Sequence, residues 1–169
     1  IICDYNYAFD PSGSLKRYFA EGGNGKYIFL VDEAHNLIDR AREMFSASLC
    51  KEKVLEVKKI MSLRDRKIVN ALEKVNRILL SYKRQCEDRP YIIMDTTAEL
   101  EITLMRLNSY LEKYMEAHKE FENRDIVLDF YFDSLRYMAT VERLDECYEI
   151  YGRIADNGEF YVDLMCINP

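Results

Sequence analysis

The sequence predicts an α+β fold, mostly α, in which a run of long helices separates a small α/β segment from a C-terminal β-hairpin. Three observations carry this reading. Apolar residues between 51 and 144 recur at alternating steps of four and three, the period of an amphipathic helix. The run Tyr27-Ile28-Phe29-Leu30-Val31 is continuous, apolar and rich in strand formers. From Tyr148 onward the spacing of apolar residues becomes even, the period of a strand.

Taken in order, Ile1-Ile2-Cys3 reads as the end of a buried strand, and Asp10-Pro11-Ser12-Gly13 as a chain breaker. A short helix is expected from about Ser14, with Leu15, Tyr18 and Phe19 on one face, followed by a flexible turn at Gly22-Gly23-Asn24-Gly25. Residues 27–31 fit a strand of a parallel sheet buried on both faces, and residues 36–44 continue with helical spacing. Val54, Leu55, Val57, Ile60 and Met61 then mark a first long-segment helix, and Ser62 is placed to cap the next. That helix carries the stripe Ile68, Leu72, Val75, Leu79 and Tyr82. Thr96-x-x-Glu99 is a capping-box signal opening a third stripe of Leu100, Leu104, Leu107, Leu111, Tyr114, His118 and Phe121, in which His118 reads as a core histidine. A fourth helix is expected over residues 126 to about 144 through Tyr131, Leu135 and Met138. Even spacing on both sides of Asp156-Asn157-Gly158 predicts the closing hairpin.

The 169 residues are 49% hydrophobic and 12% aromatic, too apolar for a disordered chain and enough for a sizeable core. The chain opens in an apolar run at Ile1, which reads as an excision boundary within a longer protein. No apolar run approaches the roughly 20 residues that span a bilayer, and no leader with a cleavage site is present, so a soluble, cytoplasmic protein without membrane contact is expected. Five cysteines at irregular gaps with no C-x-x-C pair predict free thiols in place of a metal or disulfide framework. The net charge of −6 is uneven. Residues 1–49 sum to −2, residues 50–89 to +6 and residues 90–169 to −10, so a basic segment lies inside an acidic chain.

The stretch Ile2-Cys3-Asp4-Tyr5-Asn6-Tyr7-Ala8-Phe9-Asp10-Pro11, followed by Tyr27-Ile28-Phe29-Leu30-Val31-Asp32-Glu33-Ala34-His35-Asn36-Leu37, resembles the XPD/DinG branch of superfamily 2 DEAH-box DNA helicases. The resemblance implies a fragment of such a helicase in three parts: residues 1–49 as a remnant of the first motor domain, residues 50–146 as a helical arch inserted after the DEAH box, and residues 147–169 as a β-hairpin returning to the motor domain. It implies ATP hydrolysis coupled to translocation on single-stranded DNA and duplex unwinding. Asp32 would hold the nucleotide-bound Mg²⁺ through water, Glu33 would orient and deprotonate the attacking water, and His35 would connect the nucleotide site to the DNA-gripping motifs. In such helicases the phosphate-binding loop G-x-x-x-x-G-K-[ST] lies upstream of this window, so the chain alone is expected to be catalytically silent. The cysteines that ligate an iron–sulfur cluster in many members also lie upstream, which leaves the cluster undecided and places it outside this chain. Residues 27–31 lack the neighbouring strands of such a sheet and are expected to pair irregularly or to recruit another copy.

Several residues carry two readings each. Asp32 can instead cap the following helix. Tyr5 and Tyr7 fall near the expected DNA path, where an exposed ring stacks on a base, or pack beneath the DEAH strand. Lys58, Lys59, Arg64, Arg66 and Lys67 form the centre of the basic segment, which either contacts DNA phosphates or is a solvated helix face. The arch is alternatively a protein-docking module using the acidic residues 90–169, or the parent is a DinG-like nuclease or an inactive paralogue.

Overall fold

The computed structural model of the chain describes residues 2–4, 6–10, 27–86 and 88–169. The helix expected from Ser14, the glycine turn at 22–25 and Tyr5 lie outside the described residues. The architecture is α+β and mostly helical. In chain order it comprises α1 (Asn6–Phe9), a 3₁₀ turn (Ala34–Asn36), α2 (Leu37–Phe45), β1 (Ala47–Cys50), α3 (Lys51–Met61), α4 (Arg66–Gln85), β2 (Tyr91–Ile93), α5 (Ala98–Ala117), α6 (Arg124–Val141), β3 (Tyr148–Ile154) and β4 (Phe160–Cys166).

Helices α3 to α6 pack as a bundle in which each consecutive pair touches and α6 closes back on α3. Short turns between α3 and α4 and between α5 and α6 make those neighbours antiparallel. One end of the bundle is rooted in the sheet. There Glu52 accepts the Phe160 N–H at 2.8 Å, Lys83 donates to the Gly158 carbonyl at 2.7 Å, and the Cys86 thiol faces the Gly152 carbonyl at 3.6 Å. At the other end Arg64 joins the two turns, its guanidinium lying 5.1 Å from the Phe121 ring centroid and donating to the Glu122 carbonyl at 3.5 Å.

The stripes expected for α4 and α5 are buried as read: Ile68, Leu72, Val75 and Leu79 face Leu100, Leu104, Leu107 and Leu111 in one continuous core. Each fully buried leucine contributes roughly 2 kcal/mol of transfer free energy. The caps differ from expectation. Asp65, extended at φ −146°, caps α4 by accepting the N–H groups of Lys67 at 2.7 Å and Ile68 at 3.0 Å. Ser62 instead donates its hydroxyl back to the Lys59 carbonyl, because the chain needs residues 62–65 to reverse direction before α4 starts. At α5 the capping box does not form: the N-cap is Thr97, whose hydroxyl donates to Glu101 at 2.8 Å, and Thr96 accepts the Ala98 N–H at 3.2 Å.

Two helical faces are corrected. In α6 the buried residues are Val127, Phe130, Ser134, Tyr137 and Thr140, whereas Leu135 is exposed and Tyr131 and Met138 are only half-buried. Ser134 and Thr140 mask the true stripe, leaving its apolar neighbour as the more visible pattern. His118 lies past the end of α5 and is exposed. Its ring stacks on Tyr114 with centroids 4.2 Å apart, and its Nδ1 lies 3.0 Å from the Tyr114 carbonyl, which also accepts the His118 backbone N–H at 2.9 Å.

The hairpin forms as expected, with Gly158 at φ 82° in its turn, and it sits at the centre of a four-stranded antiparallel sheet ordered β1-β4-β3-β2. Phe160, Val162, Leu164 and Cys166 face the helices. Gly152 lets the sheet close on them, since a Cβ there would meet the Phe160 ring at 2.9 Å. The edge strand β1 straddles the boundary expected at residues 49 and 50. No strand forms at residues 27–31 or at residues 2–4. Ile28 and Leu30 are 91% and 96% exposed and Ile2 is fully exposed, because no strand among the described residues lies beside either run to complete a ladder.

Candidate functional site

The two sequence signatures, separated by residues 11–26, fold against each other. Asp4 accepts the Asn6 N–H at 3.2 Å at the start of α1, which carries Phe9 to within 6.1 Å of Phe29, centroid to centroid. Between them lies a cavity lined by Ile2, Asp4 and Phe9 from the first segment and by Phe29, Asp32 and Glu33 from the second. Tyr7 is exposed in α1, next to Ala8 of the cavity wall.

Asp32 and Glu33 occupy the turn that precedes α2. Asp32 accepts the Glu33 N–H at 2.9 Å, a contact within the turn, while the N-caps of the 3₁₀ turn and of α2 are Glu33 and Asn36, neither with a side-chain capping bond. Glu33 adopts left-handed backbone angles, φ 50° and ψ 40°, uncommon for a residue with a Cβ and found at sites where the surroundings fix them. The Glu33 carboxylate lies 3.3 Å from Nδ1 of His35, and both side chains are exposed. The structure thus brings Asp32, Glu33 and His35 together on one solvent-facing turn. A hard carboxylate oxygen such as that of Asp32 fits Mg²⁺, which is held through one or two carboxylates and keeps several waters. Among the described residues no group of three or more His, Cys, Asp or Glu side chains forms a direct metal cage.

The basic segment does not form a single face. Lys58 pairs with Glu73, whose carboxyl is held below the usual carboxylate range by that hydrogen bond, and Arg77 reaches the same Glu73 at 3.6 Å. Lys53 pairs with Asp133 at 2.5 Å, and Lys83 with Glu52 at 3.3 Å. These lysines fasten helices to one another. Lys59 and Arg64 line a cleft at the free end of the bundle beside Glu122. Arg66 is exposed at the first turn of α4. Lys67 points elsewhere, into a groove between α4 and α5 that it shares with Asn70, Lys74, Thr103, Arg106 and Tyr110. Arg106 and Tyr110 belong to the acidic half of the sequence and were not legible as site residues from its charge. Their signal is positional: both lie off the buried Leu104 and Leu107 stripe, on the flank of α5 that borders α4.

A third polar cluster lies on the face of the sheet away from the core. Asp163 is buried there, accepts the Ser48 hydroxyl, and takes a charge-assisted hydrogen bond from Arg153 Nε at 2.6 Å. Arg153 lies 4.6 Å from the Tyr161 centroid. The Tyr161 hydroxyl donates to Glu159 at 2.6 Å, which raises the phenol's pKa. Every member of this network is satisfied by another, the pattern of a brace across β1, β4 and β3.

No family model matches the chain, and no curated protein matches it significantly. No helix among the described residues is long and apolar enough to cross a membrane.

Proposed function

We propose that this chain is part of an ATP-dependent DNA helicase of the XPD/DinG type, acting in the cytoplasm, with residues 27–45 contributing the nucleotide-facing carboxylates and α3 to α6 forming the arch. The observation that carries the reading is the shared cavity: two motifs far apart in sequence converge so that Asp4, Asp32 and Glu33 line one concave surface. Mg²⁺, when bound with ATP, supplies charge neutralisation on the phosphates, and Asp32 would hold it through water. Glu33 orients the attacking water and accepts its proton. His35, within reach of the Glu33 carboxylate, fixes where that carboxylate points.

The test is Glu33→Gln in the full-length protein. DNA-stimulated ATP turnover is expected to fall by roughly 10² to 10⁴, the usual worth of a general base, with nucleotide binding retained. Turnover equal to that of the wild type overturns the reading.

A docking role for the bundle is the second reading. It is favoured by the exposed Phe132 and Leu135 on α6, an apolar pair on the outer face of the helix beside acidic Asp129.

A further inference from the structure

We infer that the groove between α4 and α5 is a binding site for single-stranded DNA, in which Lys67, Lys74 and Arg106 contact phosphates and Tyr110 stacks on a base. The identity of the ligand rests on the helicase reading. The site itself rests on its chemistry. The chain is acidic overall, yet this groove is lined by three cations, the polar side chains of Asn70 and Thr103, an exposed tyrosine and no carboxylate. Phosphate neutralisation requires such a local surplus, and it contrasts with Lys53, Lys58 and Lys83, which are engaged by Asp133, Glu73 and Glu52.

The arrangement also has the right form for a strand. Lys67 and Lys74 lie seven positions apart on α4, two turns or roughly 10 Å along the axis, so they can meet different phosphates of one backbone. Arg106 and Tyr110 are one turn apart on the facing helix, placing a guanidinium and an aromatic ring on the opposite wall. A positive groove that follows the backbone, with an aromatic platform for a base, is the recurring chemistry of sequence-tolerant single-strand binding. The core stripes of α4 and α5 hold the two walls in register from below.

The experiment measures fluorescence anisotropy of a labelled oligothymidylate with the 169-residue chain across a salt series. The triple variant Lys67→Glu, Lys74→Glu, Arg106→Glu is expected to lose binding at low salt. Three neutral substitutions to Gln at these positions are expected to lower the log–log salt slope by about 2, from about 0.7 per single-strand phosphate. Tyr110→Ala is expected to weaken binding roughly tenfold with the slope unchanged. Arg40→Glu, Lys119→Glu, Arg143→Glu carries the same charge change away from the groove and is expected to retain binding, with circular dichroism confirming helicity in both triple variants. Equal loss in the two, no binding by the wild type at low salt, or displacement of the oligonucleotide by polyglutamate with Tyr110→Ala silent, would each overturn the groove site. Because none of these residues touches the Glu33 turn, loss of the groove proposal leaves Glu33-dependent turnover standing as a separate result.

Discussion

Asp65 accepts two backbone N–H groups at the start of α4, and Asp65→Ala leaves both without a side-chain partner. The expected cost is about 1 kcal/mol, read from the midpoint of urea unfolding at unchanged slope, whereas Ser62→Ala, at the position the sequence favours as cap, is expected to cost less. Glu73 offers a second check at this scale. Its carboxyl is depressed in the folded state, so the stabilisation by Lys58 is present above the ordinary carboxylate pKa and is lost as pH falls through the lower, folded value. Glu73→Gln should therefore flatten the acid side of the stability profile, and an unchanged profile would show that the pair contributes nothing there. Neither residue was legible as a fastening point. Sequence shows that Lys58 is basic, but only the packing of α3 on α4 shows which carboxylate it meets.

At the scale of elements, β2 depends on a glycine in its neighbour. Ile92 pairs with Gly152, and the Phe160 ring fills the space where a side chain on residue 152 would stand. Gly152→Val must push aside a fully buried ring or the Ile92 side chain at 3.3 Å, so a loss of about 1–3 kcal/mol is expected, with the near-ultraviolet aromatic signal changed. The long helices and the hairpin were legible because their apolar period is sustained over many residues. The edge strands β1 and β2, of four and three residues, were not, since so short a run has no period to read and exists only because the hairpin offers it a ladder. The carboxylate turn was legible as a motif, and its convergence with Asp4 was not, because nothing local in either segment specifies their contact.

For the whole molecule, one hydrophobic core runs from Leu164 in the sheet to Leu111 and Ile68 in the bundle, whereas residues 27–35 contribute no buried side chain to it. Hydrogen exchange is expected to be slowest in α4 and α5 and fastest in residues 27–35, and the reverse order would contradict this division of stability. The same measurement tests whether the sheet and bundle open together, as a shared core requires.

The sheet-rooted end of α4 has a mechanical consequence. Helix α4 has 20 residues, about 30 Å of rod, and it packs on α3 and α5 along that length. A tilt of the sheet by about 6° therefore swings the far end by about 3 Å, twice the rise per residue of the helix. A small rotation of the hairpin thus becomes a larger displacement at the opposite end of the bundle, where Arg64 meets the Phe121 ring.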